Sequence, residues 1–229
     1  MTNAKLNLRV SIAAIAVSAL LLSLCATGQT GTLSFATSRS GHEDPLPDGA
    51  RYRIDPTQSR FIVRAFAGGF LSAFAHDHTI AIRDFNGEAA FTYGTVEPAS
   101  LQMTIKAGSL EITDKVSASD RQKIEGTMRD EVLEVSKYPE ITFKSTGISA
   151  TKSGEGQYQA RISGELTLHG VTRPLTLNAG LEFGDKILRA KGAFTLKQSS
   201  FDIKAVSVAG GTIKVKDELK FTFDIVAHP

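Results

Sequence analysis

Apolar and polar residues alternate along most of this chain. The clearest case is residues 158–181. Tyr158, Ala160, Ile162, Gly164, Leu166 and Leu168 share one parity, and Gln159, Arg161, Ser163, Glu165, Thr167 and His169 take the other. Beyond a turn at Gly170, Leu175, Leu177, Ala179 and Leu181 alternate with Thr176, Asn178 and Gly180. Successive side chains of a strand point to opposite faces. The pattern predicts a β-hairpin with one apolar face and one polar face, as in an antiparallel sheet wetted on one side.

The alternation recurs along the chain. It runs through Phe61, Val63 and Ala65, then Phe85, Gly87, Ala89 and Phe91, then Leu101, Met103 and Ile105. It returns at Ile141 and Phe143, at Leu188, Ala190, Gly192, Phe194 and Leu196, and at Leu219, Phe221, Phe223 and Ile225. Tyr52–Ile54 and Thr79–Arg83 read as shorter extended pieces, and Phe70–Ala75 as one helical turn. Residues 117–138 break the pattern. Charges are dense there, Ser119 or Asp120 can cap a helix, and Ile124, Met128 and Val132 recur every four residues. One or two short helices are expected, crossing the outside of a sheet, capping its end or gating it. About eight one-faced strands with short connections predict an all-β, lipocalin-like antiparallel barrel. Closure removes the sheet edges and turns the apolar faces inward. A two-sheet sandwich has the same periodicity.

The beginning of the chain has a different character. Lys5 and Arg9 precede an apolar run from Val10 to Leu24, and the small residues Ala26 and Gly28 follow. A basic start, a short apolar core and small residues mark a secretory signal peptide, assigned to residues 1–28. Cys25 follows Leu24, where a lipoprotein signal has a small residue, so Cys25 is expected to leave with the signal. Residues 29–50, rich in Thr, Ser, Gly and Pro, read as a flexible tail, and residues 51–229 as the domain. The chain carries 26 Lys and Arg against 24 Asp and Glu. Without Lys5 and Arg9 the count is 24 against 24, formally neutral, which lacks the basic footprint of a nucleic-acid binder.

Candidate chemistry is sparse. His76 and His78 stand at i and i+2, so on an extended segment both imidazoles point the same way, as two ligands of a metal or haem in a redox protein could. No further ligands lie nearby in sequence, and a hydrogen-bonded pair or a headgroup contact at a barrel mouth is the simpler expectation. His169 is expected to fix its turn, Arg173, Arg60 and Arg64 to face water, and Asp55 to start a turn with Pro56. There is no Gly-x-Ser-x-Gly elbow, no phosphate-binding glycine loop and no His-Glu-x-x-His, and the domain has no cysteine.

Three segments together resemble one family. Tyr52-Arg-Ile-Asp-Pro-Thr-Gln-Ser59, Tyr138-Pro-Glu-Ile-Thr-Phe-Lys-Ser-Thr146 and Gly164-Glu-Leu-Thr-Leu-His-Gly-Val-Thr-Arg-Pro-Leu-Thr-Leu177 are similar to the YceI-like family in order and spacing. Two departures stand out: Gln58 where the family commonly has His, and the sequence of Phe70–His78. The resemblance implies a lipocalin-like barrel in the bacterial periplasm that encloses a long polyisoprenoid or related lipid, an isoprenoid quinone among them. It implies a binding protein rather than an enzyme, with no required cofactor. A carrier of this kind is expected to touch a membrane transiently, as a monomer or a homodimer. The expected ligand wall is Phe61, Val63, Leu101, Met103, Ile105, Phe143, Leu166, Leu168, Leu175, Leu177, Phe194, Phe221 and Phe223, with His76 and His78 at its mouth. The same residues would serve a solid core.

Overall fold

The structure is a computed structural model and describes residues 50–69, 76–92, 96–208, 210 and 212–229. The expected signal peptide, the tail before Ala50 and the apolar turn at Phe70–Ala75 lie outside the described residues.

Among the described residues, twelve strand segments and one α-helix follow in order: β1 (Ala50–Ile54), β2 (Arg60–Gly68), β3 (His78–Ile82), β4 (Phe85–Phe91), β5 (Ala99–Lys106), β6 (Leu110–Ile112), α1 (Ala118–Thr127), β7 (Glu140–Gly154), β8 (Gln157–Leu168), β9 (Val171–Phe183), β10 (Leu188–Lys197), β11 (Ser207–Val208) and β12 (Ile213–His228). All pairings are antiparallel. The order β1-β4-β5-β7-β8-β9-β10-β12 returns to β1, which closes the sheet into an eight-stranded barrel.

Three staves of the barrel are broken into pairs of segments. β1 and β2 both lie along β12, at Ile54↔Ala227 and Phe61↔Phe223. Between them the chain leaves the sheet at Asp55–Ser59. One oxygen of Asp55 accepts from Thr57 N (2.8 Å) and Thr57 Oγ1 (2.6 Å), and the other from Gln58 Nε2 (2.7 Å). These bonds, Thr57's hydroxyl first, lower the Asp55 pKa to about 2. Gln58 Nε2 also lies 3.0 Å from His228 Nε2, which ties the excursion to the end of β12. In the same manner β3 continues into β4, and β5 into β6 through a turn of 3-10 helix.

The hairpin of β8 and β9 has the expected parity. Ala160, Ile162, Gly164, Leu166 and Leu168 are buried, and Gln159, Arg161 and Glu165 are exposed. Its two-residue turn places His169 and Gly170 at φ 53° and 74°, the left-handed pair that a tight hairpin requires. A Cβ at position 170 would lie 2.5 Å from the Tyr138 ring.

Helix α1 is capped by Ser117, ahead of the expected Ser119 or Asp120. Ser117 Oγ accepts from Asp120 N (3.1 Å) and donates to the Asp120 carboxylate (2.7 Å), so Asp120 serves inside the first turn rather than as the cap. A π-helical turn, Met128–Val132, continues it. The helix lies beside the free edge of β6, where Glu125 accepts the backbone N–H of Ile112 (3.0 Å). An open edge is thereby capped by a side chain instead of a strand.

Candidate functional site

The apolar faces of the staves meet along the barrel axis, and the space between them is not filled. One cavity of about 350 Å3 lies at the end where β2, β8 and β10 finish, and a second of about 130 Å3 lies deeper. The residues of α1 and its π-helical turn that face the larger cavity are Lys123, Ile124, Thr127, Met128 and Val132. The stripe read from the sequence therefore covers the mouth of the barrel, and two polar side chains accompany it. Among the described residues the remaining polar members of that wall are His78 and Gln198. Among the described residues the deeper cavity has one polar wall residue, Thr142.

The far end is closed by aromatic rings. Tyr52 stacks on Phe91 (centroids 5.3 Å apart), Phe91 meets Phe183 edge-on (4.9 Å), and Phe183 meets Tyr158 (5.4 Å). Of these rings Tyr52 and Phe91 are buried, in one cluster with Leu188 and Ala227. Edge-on and offset contacts of this kind are the favoured aromatic geometry.

All thirteen apolar positions proposed from the sequence lie in these walls. Val63, Leu168 and Phe221 face the larger cavity, and Leu101, Met103, Phe143, Leu175, Leu177 and Phe223 the deeper one. Phe61, Ile105, Leu166 and Phe194 face both. Sequence reasoning missed several others. Ile80 and Ile82 show the same alternation in a strand too short to stand out, and Leu219 continues the parity of Phe221. Ile203 lies after a 3-10 turn, where no period marks it.

The two histidines take different places. His78 stands in the wall of the larger cavity, with Nδ1 2.9 Å from Asp114 Oδ2. Asp114 also accepts the backbone N–H of Thr79, so it anchors the start of β3 to the loop before α1. His76 precedes the strand, is exposed, and lies outside the wall. Among the described residues no group of three or more His, Cys, Asp or Glu is placed to hold a metal ion.

His169, expected to fix its turn, hydrogen-bonds beyond it. Its side chain is 11% exposed, with Nε2 2.7 Å from Glu134 Oε2 and Nδ1 3.3 Å from the Phe201 carbonyl. The Tyr138 ring packs against it at 4.5 Å. This cluster joins the hairpin turn to the segment that leaves the π-helical turn. Arg173 is exposed as expected, but its Nε donates to Ser200 O (3.1 Å). On the outer face Arg189 grips Asp224 through two bonds of 2.6 Å, which hold the Asp224 pKa below the usual carboxylate value.

A closed eight-stranded barrel with an apolar lumen, a helix across one end and an aromatic plug at the other defines a lipocalin-like binding architecture. Residues 52–227 match the YceI-like domain, and the chain belongs to that family. It is similar to a UPF0312 protein of Pseudomonas putida (strain W619), 26% identical over 170 residues that cover 72% of this chain and 82% of the relative. A UPF0312 protein of Ectopseudomonas mendocina (strain ymp) is 31% identical over 140 residues, 58% and 68% of the two chains. Among solved structures the fold is shared with BcnA of Burkholderia cenocepacia (TM-score 0.58, 19% identity, 76% and 98% covered). It is shared also with a polyisoprenoid binding domain from Saccharophagus degradans implicated in plant cell wall breakdown (TM-score 0.56, 14% identity, 77% and 97% covered).

Proposed function

We propose that this protein is a non-catalytic carrier that holds an isoprenoid-type lipid, a polyisoprenoid or an isoprenoid quinone, inside the barrel. The observation that carries the reading is the pair of nearly all-apolar cavities along the barrel axis. Such a lumen selects a ligand by the water it releases, about 25 cal/mol per Å2 of apolar surface. The larger cavity falls within the range of about 300–1,000 Å3 usual for small-molecule sites. With a surplus of about 0.3 kcal/mol per ligand atom, each buried isoprene unit contributes roughly 1.5 kcal/mol, or about tenfold in affinity. The polyisoprenoid binding description of the Saccharophagus degradans domain adds support from a shared fold.

The polar residues near the helix, His78, Lys123 and Thr127, suit a headgroup, while the aromatic end suits a chain terminus. The basic and then apolar start of the chain supports delivery to the periplasm, where a lipid carrier between membranes has work to do. Transient membrane contact through the helix-covered end would load it.

Protein purified without detergent from its own host tests the carrier. Native mass spectrometry is expected to show a mature chain cut after Ala26 or Gly28 with one lipid bound. Organic extraction should release an isoprenoid, and its ultraviolet spectrum separates a quinone from a polyisoprenoid. A chain that emerges empty and takes up no isoprenoid from vesicles removes the reading.

A further inference from the structure

We infer that Phe61 is a waist in the lumen, and that the deeper cavity is an inner subsite for the tail of ligands too long for the outer one. The inference rests on the carrier reading and adds a length limit to it. Phe61, Ile105, Ile141, Leu166 and Phe194 are common to both cavity walls, so this ring of side chains separates the two spaces. Phe61 is 8% exposed. Its ring meets four others edge-on, at 6.2 Å from Phe85, 6.5 Å from Phe194, 6.3 Å from Phe221 and 6.3 Å from Phe223. The Phe194 and Phe221 rings beside it stack in parallel at 4.8 Å.

The inner space is kept open by the sequence. Phe143 and Phe223 line it, and the end of each ring packs close to a glycine on a neighbouring strand. A Cβ on Gly164 would lie 2.5 Å from Phe143 Cζ, and one on Gly192 2.5 Å from Phe223 Cζ. Any larger residue at these two positions would drive a ring or a strand out of place. Two large side chains are thereby held along the wall while a space of about 130 Å3 remains beyond the waist. The aromatic plug then stops the chain.

Volume decides which ligands meet the waist. At roughly 12–30 Å3 per non-hydrogen atom, the outer cavity takes about a dozen to thirty atoms. That is roughly two to five isoprene units. The inner space adds roughly one or two more. A short isoprenoid stays outside the waist, and a longer one must displace the Phe61 ring.

The test compares farnesol with hexaprenol, which is twice as long, offered to delipidated protein from phosphatidylcholine vesicles and read as bound fraction by native mass spectrometry. Phe61→Leu is expected to raise the hexaprenol-to-farnesol affinity ratio about tenfold, the effect of burying roughly one more isoprene unit. Ala190→Leu, which fills the inner space from β10, is expected to lower the same ratio about tenfold. Circular dichroism and the melting midpoint establish that each variant is folded. If Phe61→Leu fails to fold, Ala190→Leu alone decides the matter. Farnesol binding with the same ratio in wild type and in the folded variants overturns the waist and leaves the carrier standing. Failure of the wild type to bind either alcohol overturns both.

Discussion

In the aromatic half of the barrel every stave is hydrogen-bonded to two neighbours, and Tyr52, Phe91, Leu188 and Ala227 are buried together at the plug. The helix half is built differently. There β6 ends after three residues, β7 begins only at Glu140, and the gap is covered by α1 and the turn that follows it. No residue of α1 is buried, and a Cβ on Gly126 would meet nothing within 4 Å. One half has backbone ladders and packed rings, and the other has side-chain ties such as Ile112–Glu125, Thr79–Asp114 and His169–Glu134. Local opening follows such differences, because segments with few buried apolar contacts open at the lowest free energy. The contrast puts fold stability at the plug, and in the carrier proposed above it would leave ligand exchange to the helix end.

The largest effect is expected from the plug. Phe91→Ala should cost about 3–5 kcal/mol, since a buried aromatic leaves both its transfer energy and a cavity behind. For a domain of this size that lowers the melting midpoint by on the order of 10 °C. Ile124→Ala on α1 should cost less than half as much, because Ile124 is only half-buried. Equal losses at the two positions would break the contrast.

The next effect probes the tie between the halves. His169→Asn keeps a residue that tolerates the left-handed backbone at φ 53° but cannot reach both Glu134 and the Phe201 carbonyl. The expected cost is about 1–3 kcal/mol, from lost hydrogen bonds and a partner left unsatisfied. Amide exchange should accelerate across residues 128–138 more than in β8 and β9. Uniform acceleration would mean that the cluster holds the whole barrel rather than the helix end.

The aromatic half was the more legible in the sequence. Tyr158, Ala160 and Ile162, like Leu188 and Ala190, declare their face by parity alone, and Asp55-Pro56 announces its excursion by turn chemistry. The union of β1 and β2 in one stave was not legible, because it is defined by their registers with β12 some 160 residues away. The helix half hid more. Leu110-Glu111-Ile112 is too short to show a period. His169 read as a turn residue because its partners, Glu134 and Phe201, are brought to it only by the closed barrel. The thirteen apolar positions read from parity all line the cavities, but in the sequence Phe61 carries no mark that separates it from the rest of an apolar core.

The smallest effect concerns the Asp55 excursion, which interrupts the wall near the end of β12. Hydrogen bonds from Thr57 and Gln58 lower the folded pKa of Asp55 from 3.8 to about 2. A depressed carboxylate pKa means that the unfolded chain binds the proton first. The stabilisation is therefore fully present above 3.8 and disappears as the pH falls through about 2. Asp55→Asn cannot titrate, and its amide replaces only part of the acceptor set. The melting midpoint of the wild type should exceed that of Asp55→Asn at neutral pH, and the gap should close between pH 3.8 and about 2. The gap is expected to be small, because the carboxylate faces water and solvent screens its bonds. A gap that persists unchanged to pH 2 would show that the carboxylate charge does not hold this turn, and that the break between β1 and β2 rests on Pro56 and the ladder to β12 instead.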